Sequence, residues 1–165
     1  LAQARKRDIA LMQGRSALAI DRQRPIRHAL EVRHDSFCDP ACLRLLRRHT
    51  VAMVVADTAG KFPYLEDVSA DFVHLRLHGD AQLYASGYSD SALDRWAARI
   101  AAWASGGEPD DAARVGARAR ARKRSTRDVY CHFDNDIKVH APFDARGLLQ
   151  RLDLPTNCPA RADVG

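Results

Sequence analysis

The stretch that decides the fold is Asp128 to Ala145, DVYCHFDNDIKVHAPFDA. Its first half alternates strictly. Val129, Cys131 and Phe133 share one face of a strand, and Tyr130, His132 and Asp134 share the other. The alternation breaks at Asp134-Asn135-Asp136 with Lys138 close behind, and a helix is expected to restart near Asp144 and run through Leu148, Leu149 and Leu152. A strand that ends in carboxylates, an amide and an amine just before a helix reads as a βα loop carrying a site.

Working outward, the same grammar recurs. His28 to Arg33 reads as a short strand, with Leu30 and Val32 on one face and Glu31 and Arg33 on the other. His34-Asp35-Ser36 ends it, and Asp39 with Pro40 at the first helical position starts a helix through Leu43 and Leu46. Val51 to Ala56 is a continuous apolar run closed by Asp57, as in a strand buried on both faces. The segment 58–70 is expected to be a loop with a short helical piece. Phe72 to Leu77 alternates again, Val73, Leu75 and Leu77 against His74, Arg76 and His78. A loop with Tyr84 and Tyr88 follows. Ser89 or Asp90 then caps a helix in which Leu93, Trp96, Ile100 and Trp103 recur at helical spacing, and Gly106 to Pro109 stops it.

Strand and helix alternating four times predict a parallel sheet with right-handed crossovers. The faces narrow the choice. A doubly wound sheet is covered by helices on both sides, so both faces should be apolar; here one face of three strands is polar. A barrel explains this, with apolar residues meeting outer helices and polar ones pointing inward near the mouth. A closed barrel needs eight strands and typically over ~200 residues. The 165 residues offer four strands, or half a barrel.

Composition is that of an ordinary globular chain, 46% hydrophobic and 28% charged. No apolar run approaches the ~18 residues of a membrane span, and no secretory leader is recognisable, so a cytoplasmic protein with no membrane partner is expected. The four cysteines form no zinc-type pair and are expected to be reduced thiols. The formal net charge is +5. Residues 112–127 alone hold seven cations and no acid, more than the whole excess, so the remainder is net negative. That Ala/Arg-rich run, Arg114 to Arg127, is expected to be a solvated insertion. Nucleic-acid contact through it is the less favoured reading, because no aromatics interleave with the arginines.

Five ordered segments carry a family resemblance: EVRHDSF (31–37), VVADT (54–58), DFVHLRLHGD (71–80), GYSDSALDRWAARIAAW (87–103) and VYCHFDNDIKVHAPFDA (129–145). Together they resemble the YecE-like family, domain of unknown function 72. The resemblance implies an α/β fold of the (β/α)8 TIM-type barrel class and no established activity. It also implies that this chain carries the last four βα units, so that self-association or a missing N-terminal half completes it. The expected organisation is a helix and linker over 1–27, the half-barrel over 28–153 with a basic insertion at 106–127, and a disordered tail over 154–165. Departures from the family pattern are Phe37 for tryptophan, Asp134 for asparagine, and His74 and His132 for tyrosine or aliphatic residues.

The candidate site collects the polar strand ends. Glu31, His34, Asp57, His78, Asp134 and Asp136 are the residues of a type to move protons; Arg33, Arg76, Tyr84, Tyr88, Asn135 and Lys138 are of a type to bind substrate. His74 and His132 are expected to be packed. Carboxylates beside histidines are chemically able to take a divalent ion, but the spacing is diagnostic of none, so no metal or other cofactor is assigned. Three readings follow. The first is a barrel enzyme acting on a small anionic substrate bearing phosphate or carboxylate. The second is a barrel that binds or processes nucleic acid. The third is a half-barrel without independent activity.

Overall fold

The computed structural model describes residues 22–115 and 121–156. The elements run β1 (His28–Leu30), a 3-10 turn (Asp35–Phe37), α1 (Pro40–Arg48), β2 (Val51–Asp57), β3 (Phe72–Leu77), α2 (Asp90–Ala104), β4 (Asp128–Phe133) and α3 (Ala141–Arg151). The four strands form one parallel sheet in the order β1-β2-β3-β4. This is the α/β architecture that the alternation predicts. The expected N-terminal helix and most of the expected tail lie outside the described residues.

Register explains the two faces. Leu30 pairs with Met53, Val55 with Leu75, Leu75 with Cys131 and Leu77 with Phe133, so the apolar positions of successive strands line up on one side. There Leu75 and Leu77 are buried against Leu93, Trp96, Ile100 and Trp103 of α2 and Leu148 of α3. A smaller cluster joins Val32, Leu46, Met53 and Leu65 under α1. Each fully buried tryptophan is worth ~3–5 kcal/mol against truncation to alanine, which makes α2 the main weight on this face. On the opposite face Ala56, Arg76 and His132 line up across three strands.

Helix starts follow their sequence signals. The Asp39 carboxylate accepts a hydrogen bond from the Ala41 amide with Pro40 just inside α1, and the Ser89 hydroxyl accepts from the Ala92 amide at the start of α2; such caps contribute about 1 kcal/mol each. After α2 the chain turns at Gly106, whose φ of +77° suits a residue without a Cβ.

Several expectations are corrected. β1 ends at Leu30 rather than Arg33, because the chain turns at His34 toward α1. Residues 58–71 contain no helical piece. Irregular chain runs beside β2 instead, pinned by Ser69, whose hydroxyl accepts from the Met53 amide at 2.6 Å and donates to the Val51 carbonyl at 2.7 Å. α3 begins at Ala141, not Asp144, since Pro142 sits in its first turn and Asp144 faces inward. The described ends of the Arg-rich run are not simply solvated. Arg114 donates to the Pro109 carbonyl at 2.7 Å. Arg127 is only 6% exposed and donates to the carbonyls of Trp103, Gly106 and Gly107 at the end of α2. A guanidinium suits that place because its several donors reach carbonyls gathered where the helix finishes, two of which also accept from the Gly106 and Arg124 amides.

Arg127→Ala leaves the Gly107 carbonyl without its donor and removes the second donor of the Trp103 and Gly106 carbonyls, and the expected loss is about 1–3 kcal/mol of unfolding free energy. Arg122→Ala, at an exposed position, is expected to change stability by under ~0.5 kcal/mol. Urea melts of the two variants check this; equal losses would rule out the internal role of Arg127.

Candidate functional site

The polar face of the sheet gathers its charges at the C-terminal ends of the strands. Arg76, near the end of β3, is the centre. Its Nη1 donates to Glu31 Oε2 at 2.6 Å and its Nη2 donates to Asp134 Oδ2. Glu31 lies just past β1, so Arg76 reaches across β2 to meet it. The register partner of Arg76 on β2 is Ala56, and its methyl group leaves that path open. Glu31 Oε1 accepts a second bond, from Arg33 Nε at 2.8 Å.

Behind Asp134 stands His78, whose side chain is 1% exposed and whose Nδ1 lies 3.4 Å from Asp134 Oδ2. Neither ring nitrogen of His78 has a hydrogen-bond partner within normal reach, and the Tyr84 ring stands edge-on to it at 5.2 Å between centroids. Burial, and then the positive charge of Arg76, hold the His78 pKa below the ordinary imidazole range. Glu31 behaves oppositely. Burial alone would raise its pKa, but the hydrogen bonds from Arg76 and Arg33 outweigh it and hold the group below the usual carboxylate range. Deeper on the same face, His74 and His132 stack at 4.9 Å. His132 is exposed, and His74 Nδ1 is buried without a partner, so the pair is packed rather than hydrogen-bonded.

Beside this cluster a cleft of about 270 Å³ is lined by Arg33, His34, Lys61 and Phe62 among others. The Arg33 guanidinium lies over the Phe62 ring at 5.1 Å, and the Lys61 amine lies 5.4 Å from the same ring. Only the Nε of Arg33 is taken by Glu31, so its outer edge is available to an anion.

The structure divides the remaining candidates. His34 caps the 3-10 turn, its Nδ1 accepting from the Ser36 amide. Asp57 points to the helix face rather than the polar face, where the Tyr88 hydroxyl donates to its Oδ2 at 3.2 Å and itself accepts from the Gly79 amide. Burial raises the Asp57 pKa above the usual carboxylate range. Asn135 is wholly buried and donates to the Ser86 carbonyl and to Asp144 Oδ2, which also accepts from the Tyr88 amide. That network ties the loop after β3 to α3 and is structural. Asp136 and Lys138 stand exposed on the turn after β4, outside the Arg76 cluster. Lys61 and Asp144 are the residues that reading the sequence missed. Lys61 had one signal, its place beside Gly60 just past a strand end. Asp144, inside a helix, had none. Among the described residues, no group of three or more His, Cys, Asp or Glu is placed to hold a metal ion, and no helix is long and apolar enough to cross a membrane.

A family model described as "Protein of unknown function DUF72" matches residues 11–163. Among solved structures, a DUF72 family protein from Enterococcus faecalis V583 superposes with a TM-score of 0.60 at 16% identity, covering 84% of this chain and 52% of its own. A DUF72 family protein from Thermotoga maritima MSB8 gives a TM-score of 0.60 at 23% identity, covering 78% of this chain and 47% of its own. This chain therefore spans about half the length of those structures. No curated protein matches.

The depressed histidines set a pH dependence. His74 is lowered by burial, then by His132 and Arg76, and His78 by burial and Arg76. Unfolded, both bind a proton near pH ~6.5; folded, they do so only at lower pH. Between those values the unfolded chain holds more protons, so stability rises with pH, is complete above ~6.5, and is lost as pH falls. The expected result is a melting temperature lower at pH 5.5 than at 7.5, with a smaller difference in His78→Asn. An unchanged difference in that variant would refute the assignment.

Proposed function

The chain belongs to the DUF72 family, and from that premise we propose that it forms half of a (β/α) barrel whose strand ends bind a small anionic molecule and move a proton on it. The observation that carries this reading is the Glu31–Arg76–Asp134 cluster with its adjoining cation-lined cleft. The half-barrel part draws support from the polar face, from β1 and β4 standing at the two edges of the sheet, and from the coverage of the solved family structures.

Roles follow from what each group already touches. Arg76 is engaged by two carboxylates, so it orients them rather than gripping substrate. The anion falls instead to Arg33, 49% exposed at its side chain, and to Lys61. A phosphate or carboxylate suits them, because guanidinium and ammonium together offer converging donors and charge. Glu31, held as an anion, accepts a hydrogen bond from a substrate hydroxyl or amine. Asp134, 31% exposed at its side chain, is the carboxylate placed to take a proton, and neutral His78 behind it is a positioning residue. The nucleic-acid reading is weaker, since Arg114 and Arg127 are engaged inside the chain.

Thermal melts with inorganic phosphate, ribose 5-phosphate and malate test the proposal. A ligand at 100 times its Kd stabilises by ~2.7 kcal/mol, an easily measured rise in melting temperature. Arg33→Ala combined with Lys61→Ala is expected to remove the rise, and Asp134→Asn to keep it. The absence of a rise with all three probes would overturn the reading.

A further inference from the structure

A second cleft, of about 300 Å³, opens between the chain after β2 and the side of α2. Its volume is at the lower end of the ~300–1,000 Å³ range of small-molecule sites. Asp57 lies in it, with Phe62, Tyr64 and Trp96 as aromatic lining and Arg95 on the exposed side of α2. Tyr88 and the Ala59 amide hydrogen-bond to the Asp57 carboxylate. A carboxylate offers about four acceptor sites, so it retains capacity for another donor. Trp96 is 1% exposed and closes the cleft on the α2 side. The Tyr64 ring meets Trp96 edge-on at 6.4 Å.

These features select among ligands. Free amines and ammonium ions suit Asp57 but would face Arg95. An aliphatic chain would leave the open acceptor sites of Asp57 unused. A flat ring bearing an amino donor uses them and presents its π-face to the aromatic residues.

The two clefts adjoin. Gly60 and Phe62 line both. At Gly60 no heavy atom lies within 4 Å of where a Cβ would be, so the space beside this shared residue is open. We propose that the ligand of the mouth is of nucleotide type, with an amino-bearing heterocycle against Asp57 and Trp96 joined to a phosphate held by Arg33 and Lys61. The phosphate end rests on the reading of the preceding section; the heterocycle end rests on the second cleft alone.

The test measures calorimetric affinity of the full chain for adenosine 5′-monophosphate, adenosine and ribose 5-phosphate. Adenosine monophosphate is expected to bind at least tenfold tighter than either fragment. Asp57→Asn, which places an amide donor opposite the ring's amino group, is expected to remove that advantage and leave ribose 5-phosphate unchanged. Tryptophan fluorescence of the unmodified chain supplies a readout that needs no variant: saturable quenching by adenosine and none by ribose 5-phosphate. Equal affinity for adenosine monophosphate and ribose 5-phosphate, or an unaltered advantage in Asp57→Asn, overturns this inference and leaves the anionic mouth standing. Binding of adenosine with no binding of ribose 5-phosphate overturns the mouth, and the nucleotide with it; no binding of any probe overturns both.

Discussion

The Arg76 guanidinium, shared between Glu31 and Asp134, is the interaction on which the polar end of the molecule depends. Its two carboxylates come from opposite ends of the sheet order, one after β1 and one after β4. Without the arginine, two anions would face each other from a half-buried surface, and each would lose its charge-assisted bonds. Breaking such a pair by removing one partner costs ~3–5 kcal/mol where it is fully buried; partial exposure here reduces that. The ion pairs therefore specify the mouth more than they stabilise the fold. They hold two strand ends at a set spacing, and they keep Glu31 ionised against the desolvation that would otherwise raise its pKa.

That arrangement exists only because strand register places the right residues on the right face. A slip of one residue in β3 would bring His74, Arg76 and His78 under α2 and expose Val73, Leu75 and Leu77. The packing of Leu75 and Leu77 against Trp96 and Trp103 is what forbids it. The hydrophobic face thus does indirect work for the polar one. Burial of two tryptophans and two leucines fixes where an arginine and a histidine point, and the charged cluster need not be stabilising in itself. His78 shows the reverse coupling. It is held deep enough to remain neutral, at the cost of two ring nitrogens without partners.

Elements governed by local rules were legible in the sequence. Alternation located β3 and β4, and Asp39-Pro40 and Ser89 located the starts of α1 and α2, because period and capping are properties of a few neighbouring residues. The gathering of Glu31, Arg76, His78 and Asp134 was legible too, since a parallel sheet brings all strand ends to one side. What escaped was non-local. Nothing near Arg127 announces that it caps a helix ending more than twenty residues earlier; in a run of arginines it reads as another solvated charge. Asp144 reads as the start of a helix, yet it lies inside one and serves as a buried acceptor for Tyr88 and Asn135. Asp57 was placed at the mouth by its position at a strand end. Its side chain follows the pleat to the helix face, since Asp57 pairs with Leu77 in register, and a continuous apolar run such as β2 gives no alternation from which to read that.

The connection between β2 and β3 draws these points together. A crossover between parallel strands is usually a helix, and a helix there would bury the outer face of β2 as α2 buries that of β3. Residues 58–71 run as irregular chain instead, and such a chain must satisfy its backbone by other means. The Glu66 amide donates to the Ala113 carbonyl and the Arg47 guanidinium donates to the Val68 carbonyl, so a neighbouring loop and a side chain of α1 do part of what helical hydrogen bonds would have done. A single irregular strand of chain is thinner than a helix and covers less of the sheet. The end of β2 is consequently left beside open space rather than beneath a packed helix, and Asp57, on the face that is otherwise hydrophobic core, borders a cleft. The same economy places Lys61 and Phe62 within reach of Arg33. Loss of one regular element is thus the physical reason that a second polar site adjoins the first.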